Sequence, residues 1–258
     1  MVALEARSLT KCYYSAVPAV RDLTFCLSEG EVLGFLGPNG SGKSTTVKML
    51  TGLLDPTSGH VLSGGVRISH DLVRYRERLG YVPEEADLYP FLSGWEYLEL
   101  VGTLRGLPRR SLEKKIDSML ELFSLTPHRH SSIGSYSKGM RQRILLIAAL
   151  LHDPSLLIFD EPLSGLDVTS AMIVKNLVKT LGEKGKAILY CSHVLEVVEK
   201  ICSTVIVLRK GKTIAYGPPA ELMRSAGQDS IEHAFAHIVE GGDTEQIARD
   251  IAAVMKAA

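Results

Sequence analysis

Eight residues near the start of the chain have the types and spacing of a loop that binds phosphate. The pattern G-x-x-x-x-G-K-[ST] is matched at every fixed position. The residues are Gly37, Pro38, Asn39, Gly40, Ser41, Gly42, Lys43 and Ser44. The glycines let backbone N–H groups point at phosphate oxygens, while Lys43 can reach the β and γ phosphates and the Ser44 hydroxyl can ligate Mg²⁺. A chance glycine-rich turn is the alternative, but the apolar run before the loop and the helix-like run after it favour nucleotide binding.

Two carboxylates follow an apolar run at residues 156–159. Such a run is typical of a buried parallel strand, and Asp160 and Glu161 stand at its C-terminal end, where doubly wound sheets bind ligands. Beside a phosphate-binding loop, one carboxylate can hold Mg²⁺ through its water shell and the other can orient or deprotonate a water molecule. A charged strand end without chemistry is the alternative. Another apolar run, at residues 187–191, leads to His193, which taken alone is as often an ordinary polar residue.

The elements that must position these residues alternate between strands and helices. Short alternating strands are predicted at residues 2–9 and 19–27, ahead of the strand that enters the loop. Tyr13 and Tyr14 lie between them, and one of the two could stack on a base, although a tyrosine there is more often explained by half-buried packing. A hairpin with a glycine-containing turn is predicted at residues 205–216. The expected fold class is α/β: a P-loop NTPase core with a mixed or parallel sheet and an N-terminal antiparallel β subdomain.

A small helical subdomain is expected to be inserted in this core, at about residues 90–150. Ser93 and Glu96 form a capping box, so a helix should begin at about Gly94 and end at the break of residues 106–108. The next helix has an apolar face and a charged face. The chain after Pro218 is helical by pattern.

The composition argues against nucleic-acid-binding, cysteine-metal and membrane-spanning proteins. The 258 residues carry 29 basic and 29 acidic side chains, so no net charge attracts nucleic acid, and we expect no nucleic-acid partner. The four cysteines, at positions 12, 26, 191 and 202, have no metal-binding spacing, and we expect reduced, buried thiols. No apolar run is long enough for a membrane span or a signal peptide, so a soluble protein made in the cytosol is expected.

The motifs occur in the order found in the nucleotide-binding subunits of ATP-binding cassette (ABC) transporters, which the chain resembles over almost its whole length. Residues 37–44 match the Walker A loop, and residues 157–161 match the Walker B strand with its catalytic glutamate. Residues 136–140, Y-S-K-G-M, stand where the family has L-S-G-G-Q, and residues 164–167 match the D-loop. His193 matches the switch histidine, and Tyr13 follows the Lys-x pair that precedes the family's adenine-stacking tyrosine.

The resemblance implies an ATPase that uses ATP and Mg²⁺. Glu161 and His193 would be catalytic, and the metal would be held by Ser44, Asp160 and Glu84. The nucleotide would contact Tyr13 and the loop up to Thr45. The ATPase domain would comprise residues 1–225, followed by a C-terminal helical extension at residues 226–258.

The resemblance also implies partners. Two such subunits, identical or related, would face each other head to tail, with ATP between the Walker A loop of one and the signature of the other. Ser137 and the Gly139 backbone N–H would contact the γ-phosphate across that interface. Asp167 would touch the opposing Walker A loop. A polytopic membrane permease would hold the pair at the cytoplasmic face of the membrane.

Departures from the family's pattern that matter for chemistry lie in the signature and at position 84. Lys138 stands in place of the first glycine of L-S-G-G-Q, and Met140 stands in place of its final glutamine. Glu84 stands where the family usually has another glutamine. A carboxylate is also a hard oxygen ligand, so metal contact can survive at Glu84. The signature Y-S-K-G-M-R-Q-R looks most like subunits of export-type or lipid-type transporters whose membrane part is a separate protein.

Two other functions are open to a chain with these motifs. One is a soluble ATPase of the same superfamily that acts on ribosomes or DNA, although such relatives usually carry two cassettes or a long insertion before the signature. Here that interval is short and has no heptads, cysteine clusters or basic patches. The other is a small-molecule P-loop kinase, which would not need Ser137, Gly139 or Asp167.

Overall fold

An antiparallel sheet opens the computed structural model of the chain, which describes residues 1–13, 17–85, 87–240 and 255. Its strand order is β2-β1-β4-β5. The strands are β1 (Val2–Lys11), β2 (Val20–Ser28), β4 (Ser58–Ser63) and β5 (Val66–Arg67). Tyr14 and Ala86 lie outside the described residues.

A second sheet of six strands carries the phosphate-binding loop. Its order is β10-β9-β3-β8-β7-β6, with the β9–β10 pair antiparallel and the others parallel. The strands are β3 (Val32–Leu36), β6 (Leu79–Val82), β7 (Leu156–Asp160), β8 (Ala187–Cys191), β9 (Thr204–Arg209) and β10 (Lys212–Gly217). Because β3, β6, β7 and β8 are parallel, their carboxyl ends meet at one edge, where chemistry-bearing residues follow all four.

Helices cover the six-stranded sheet, and others form a helical lobe, which corresponds to the small helical subdomain expected at about residues 90–150. They are α1 (Lys43–Leu50), α2 (Leu72–Glu77), α3 (Gly94–Leu104), α4 (Arg109–Leu122), α5 (Lys138–Leu150), α6 (Val168–Glu183), α7 (Leu195–Ile201), α8 (Pro219–Ala226) and α9 (Ile231–Glu240). The capping box predicted for α3 is confirmed: the Ser93 N–H donates to Glu96 Oε2 at 2.8 Å, and the Glu96 N–H donates to Ser93 Oγ at 3.2 Å. None of the helices in the described part of the chain combines the length and the apolar character that crossing a membrane requires.

Two apolar cores hold these layers together. One lies between the two sheets and α1, where the Phe25 and Phe35 rings pack with their centroids 5.8 Å apart. The other joins the remaining face of the six-stranded sheet to the helices, including the lobe. The residues of β3, β7 and β8 are buried throughout, because a parallel strand between two covered faces has no side exposed to water.

One expectation for the cysteines is wrong. Cys191 and Cys202 are buried and Cys12 is half-buried, but Cys26 is exposed. Successive side chains of β2 point to opposite faces, so Phe25 and Leu27 enter the core while Cys26 faces outward. The domain limits at residues 225 and 226 stay a prediction. The predicted extension contains α9, which packs against α7 and α8, and its residues 241–254 and 256–258 lie outside the described part.

Candidate nucleotide-binding site

The loop after β3 has the geometry that a phosphate cradle requires. Gly42, just before α1, has φ 107°, and a Cβ there would lie 2.6 Å from the carbonyl oxygen of Ala19, so only glycine fits. The Lys43 Nζ donates to the Gly37 carbonyl at 2.5 Å and to the Pro38 carbonyl at 3.3 Å. The ammonium group is thereby held over the loop rather than extended into solvent.

Asp160 is the last residue of β7 and is nearly removed from water, with 5% of its surface exposed. Burial, and after it the charges of Glu84 and Glu161, raise the pKa of its carboxyl to about 6 against the opposing effect of Lys43. A buried carboxylate surrounded by other acids is stabilised by a cation, so this end of the strand is suited to bind one.

Glu161 turns away from the strand in a strained conformation. Its φ is 49°, in the left-handed region that a glutamate rarely adopts, and its N–H donates to the Cys191 carbonyl at 3.0 Å. The His193 Nδ1 lies 2.9 Å from Glu161 Oε1, and the Ser192 hydroxyl donates to Oε2 at 3.3 Å. These contacts fix the direction of the carboxylate. Its side chain is 12% exposed, whereas that of His193 is 77% exposed.

A single cavity of about 280 Å³ brings most of the predicted site residues together. It is lined by loop residues 38–45 and by Ala19, Glu84, Asp160, Glu161 and His193. Thr45 and Glu84 are among these lining residues, and Glu84 follows β6 on the same sheet edge as Asp160. Lys43 gives one side of the cavity a positive charge, which suits phosphate groups. The carboxylates give the other side a negative charge, which suits a metal ion.

Ser137, Gly139 and Asp167 lie elsewhere, outside the lining of this cavity. Ser137 caps α5, its hydroxyl accepting the Met140 N–H at 3.2 Å, and Asp167 caps α6, its Oδ1 accepting the Ser170 N–H at 2.8 Å. A Cβ on Gly139 would lie 2.6 Å from the Gly165 carbonyl oxygen. The start of α5 is thus pressed against residues 164–167, which explains why this position needs a glycine.

Two side chains that depart from the family's signature have distinct surroundings. Lys138 is exposed, and its methylene groups lie over Gly165. A Cβ added to Gly165 would lie only 2.8 Å from Lys138 Cγ. Met140 is half-buried and packs against the helical core. The methionine therefore replaces a polar amide by apolar packing, whereas the lysine adds a cation at the surface.

Tyr13 stands close to the loop but not in the cavity lining. Its hydroxyl lies 3.5 Å from Thr45 Oγ1, half of its surface is exposed, and the Lys11 Nζ is 5.7 Å from the ring centroid. An exposed ring beside Thr45 is compatible with stacking on a base, and that role of Tyr13 stays a prediction.

The residues present fit a magnesium ion held together with phosphates. Ser44, Asp160 and Glu84 offer hydroxyl and carboxylate oxygens, the hard ligands that Mg²⁺ prefers. Among the described residues, no group of three or more His, Cys, Asp or Glu side chains could hold a metal ion. Sites for Mg²⁺ with a nucleotide use one or two carboxylates and complete the shell with phosphate oxygens and water.

Sequence reasoning missed three residues that shape the site. Ser192 supports the Glu161 carboxylate, and its place beside His193 at a strand end was the only available signal. Ala19 lines the cavity and approaches Gly42 through its carbonyl oxygen. Gly165 approaches Gly139 in the same way. Both backbone contacts join segments far apart in sequence, so no local pattern reveals them.

Comparison with known proteins agrees with this geometry. The family model described as ABC transporter matches residues 20–164, more than half of the chain. The linearmycin resistance ATP-binding protein LnrL of Bacillus subtilis (strain 168) is 38% identical over 228 residues, which cover 88% of this chain and 73% of that protein. The ABC transporter ATP-binding protein NatA of the same organism is 34% identical over 220 residues, covering 85% and 89%.

Solved structures share the fold. A structure described as the ATP binding subunit of an ABC transporter superposes with a TM-score of 0.86 at 31% identity, covering 92% of this chain and 99% of that one. CbiO1 from Clostridium perfringens, described as part of the ABC transporter complex cbiONQ, gives a TM-score of 0.74 at 27% identity and covers 86% and 91%. The expected fold class is confirmed.

The fold and the cavity define a nucleotide-binding P-loop ATPase. Within that class, the chain belongs to the ABC transporter family, as an ATP-binding subunit. The predicted resemblance, the ATPase activity and the use of ATP are therefore confirmed at the level of the family.

Proposed function

We propose that this ATPase powers an exporter whose membrane-spanning part is a separate protein, and that it works by ATP-driven head-to-tail dimerisation. The observation that carries the proposal is the convergence of the loop, Asp160, Glu161 and His193 on one cavity. Phosphoryl transfer to water needs these functions together: a phosphate cradle, a place for the metal, and a base directed at the attacking water.

Glu161 acts as the general base in this proposal, and His193 positions it. The carboxylate is held from both oxygens by His193 and Ser192, so that it keeps one direction while a water molecule lies between it and the γ-phosphate. The exposed His193 ring is also free to contact the γ-phosphate. Lys43 binds the β and γ phosphates as a point charge.

Ser44, Asp160 and Glu84 would hold Mg²⁺. When bound, the ion neutralises charge on the β and γ phosphates. Asp160 supplies the buried carboxylate, whose pKa is raised first by burial and then by the charges of Glu84 and Glu161. Glu84 supplies a carboxylate in place of the usual amide of the family, and this added charge near phosphate would slow turnover rather than abolish it. Tyr13 stacks on the adenine, with Thr45 beside it.

A second subunit completes the site. Ser137 and Asp167 are exposed at the starts of α5 and α6, outside the cavity of their own chain, and are therefore available to a facing copy. Ser137 and the N–H of Gly139, at the positive end of the 13-residue helix α5, would contact the γ-phosphate bound to that copy. Hydrolysis would remove this bridge and let the pair open.

Export and a separate permease are supported by relatives and by the signature. LnrL is named a resistance protein, and cbiO1 is described as part of a transporter complex. The signature Y-S-K-G-M-R-Q-R is the other support. In this proposal the subunit lies at the cytoplasmic face of the membrane, bound to the permease.

The test is to isolate what the nucleotide-bound subunit binds. Tagged Glu161→Gln protein is captured from detergent-solubilised membranes of its own cell with ATP and Mg²⁺, and Lys43→Ala protein serves as the control that cannot close on ATP. A polytopic membrane protein enriched with Glu161→Gln alone is the expected result. Enrichment of ribosomes or DNA-repair proteins instead would contradict the transporter assignment.

A further inference from the structure

A second cavity, of about 250 Å³, lies between the β4–β5 hairpin and α2. It shares no lining residue with the nucleotide cavity and is nearly as large. Three of its lining residues are arginines, Arg67, Arg74 and Arg78, whereas Asp71 is the single acidic one. The walls of this cavity therefore carry a clear excess of positive charge in a protein whose net charge is zero, so the expectation that no basic patch precedes the signature is wrong here.

The side chains of these three arginines differ from those of their neighbours in what they contact. Within the described part of the chain, their guanidinium groups make neither an ion pair nor a hydrogen bond. Two neighbouring arginines differ in this respect. Arg76 donates to the Gly52 carbonyl at 2.7 Å, and Arg105 donates to the carbonyls of Arg76 and Leu79.

The spacing of two of these arginines makes their lack of a counter-ion unfavourable. Arg74 and Arg78 are four residues apart at α2 and its C-terminal cap, where like charges repel. Asp71 does not neutralise them through a side-chain pair, because its Oδ1 accepts the backbone N–H of Arg74 at 3.0 Å as the helix cap. An anion in the cavity would remove the repulsion.

The floor of the cavity is apolar and fixed. Ile68 and Tyr75 are buried, and the Tyr75 hydroxyl is occupied as a donor to the Leu50 carbonyl at 2.6 Å. This contact ties α2 to the end of α1, so the walls are in place before any ligand arrives. The arginines are then the groups that can recognise a ligand, and a planar guanidinium matches the oxygens of phosphate in a bidentate manner.

We propose that this cavity is a second ligand site, which binds a phosphate-bearing anion with at least two negative charges, independently of the nucleotide. The phosphate can belong to a soluble compound or to an acidic lipid headgroup, because both present the same oxygens to the arginines. The proposal goes beyond the ATPase function and does not depend on it.

The test uses the full chain with Lys43→Ala, which removes phosphate binding at the nucleotide loop. Inorganic pyrophosphate is titrated calorimetrically without Mg²⁺ and at low salt, where exposed charges are least screened. One binding event per chain is expected, and Arg74→Gln and Arg78→Gln should each weaken it about tenfold or more, as expected for loss of a charged hydrogen bond. Arg110→Gln, on the exposed surface of α4, has the same change in charge and should bind as tightly as the parent.

A parallel arm separates the two sources of phosphate. The same proteins are floated with vesicles of phosphatidylglycerol and phosphatidylcholine, and with vesicles of phosphatidylcholine alone. Arg74-dependent flotation with the acidic vesicles assigns the site to a lipid headgroup, and pyrophosphate binding alone assigns it to a soluble anion. The proposal is overturned if neither probe binds, or if Arg110→Gln weakens binding as much as Arg74→Gln does. Circular dichroism of each variant shows that the fold is intact.

Discussion

Asp160 reduces the stability of the nucleotide-free protein above acidic pH. Its carboxyl has a pKa of about 6 in the folded chain, against an ordinary value of 3.8. Between these two values the folded state binds more protons than the unfolded state, so the free energy of unfolding falls as pH rises through this window. Above it, the folded chain carries a buried negative charge, which a cation bound in the proposed site would compensate.

Asp160→Asn should therefore stabilise the nucleotide-free protein while removing metal binding. At about pH 7.5 the gain is at most about 3 kcal/mol, from roughly two units of pKa difference. Urea unfolding without nucleotide, at neutral and at acidic pH, measures it, and the gain should vanish at about pH 4. Asp153→Asn is the control, and it should lower the free energy of unfolding at neutral pH instead of raising it. The reason is that a hydrogen bond from Lys186 lowers the pKa of Asp153. Lower stability of Asp160→Asn at neutral pH would contradict the assignment.

Substitution of Glu84 tests whether its carboxylate, which stands in place of the family's usual amide, is itself required for ATP hydrolysis. It lines the cavity and raises the pKa of Asp160. Glu84→Gln removes one negative charge near the phosphates but keeps an oxygen ligand, so ATPase activity should stay within about tenfold of the parent. Steady-state ATP hydrolysis at saturating Mg²⁺ measures this. A complete loss of activity would show that the carboxylate itself is required, and Glu85→Gln, on the next residue, controls for charge alone.

At the scale of elements, the contact between α5 and residues 164–167 joins the signature to the D-loop within one chain. Gly139 permits this approach, since any Cβ would lie 2.6 Å from the backbone oxygen of Gly165. That oxygen cannot rotate away as a side chain could, so the two segments must separate when a methyl group is added.

Gly139→Ala should destabilise the protein by about 1–3 kcal/mol, the usual effect of overpacking, and lower ATPase activity as well. Chemical denaturation and steady-state hydrolysis measure the two effects. Ser118→Ala, on the exposed face of α4, is the control and should change neither. Unchanged stability and activity in Gly139→Ala would mean that residues 164–167 yield freely, and that the contact does not couple the two motifs.

The elements that carry strong local signals could be predicted from the sequence. The capping box at Ser93 fixed the start of α3, and the apolar run before Asp160 identified β7, because both signals depend only on neighbours in the chain. The hairpin of β9 and β10 also matches, with Lys210 and Gly211 both at positive φ in its turn. The loop residues of the cavity could be predicted because one contiguous motif contains them.

The rest depends on tertiary contacts. The approach of Ala19 to Gly42 joins segments next to β2 and β3, which belong to different sheets. The support of Glu161 by Ser192 arises only when β7 and β8 become neighbours in one sheet. The orientation of Cys26 is a different case, because the alternation of β2 already placed it opposite Phe25 and Leu27. We interpreted the apolar run around Cys26 as a sign that all its side chains are buried. In a strand, successive side chains point to opposite faces of the sheet, and one of the two faces can be exposed.

At the scale of the whole molecule, the residues predicted for the site lie in two separate parts of the chain. The cavity gathers the phosphate-binding and acidic residues at one sheet edge, whereas Ser137 and Asp167 stand at the starts of two helices outside it. Neither part needs the other within one chain. Both would be used together only if a second chain places its helix starts over the first chain's cavity, which is the arrangement proposed above.

Glu161→Gln should therefore convert a transient pair into a stable one. Removing the base while keeping a neutral side chain of the same shape should lower turnover by roughly 10² to 10⁴ and leave ATP binding intact. Size-exclusion chromatography with light scattering should then show about twice the 28.1 kDa of one chain when ATP is present. Glu161→Gln with Lys43→Ala should remain a monomer, because the loop no longer holds the nucleotide. Normal hydrolysis by Glu161→Gln would refute the role of the base, and a monomer with ATP bound would refute pairing with an identical copy.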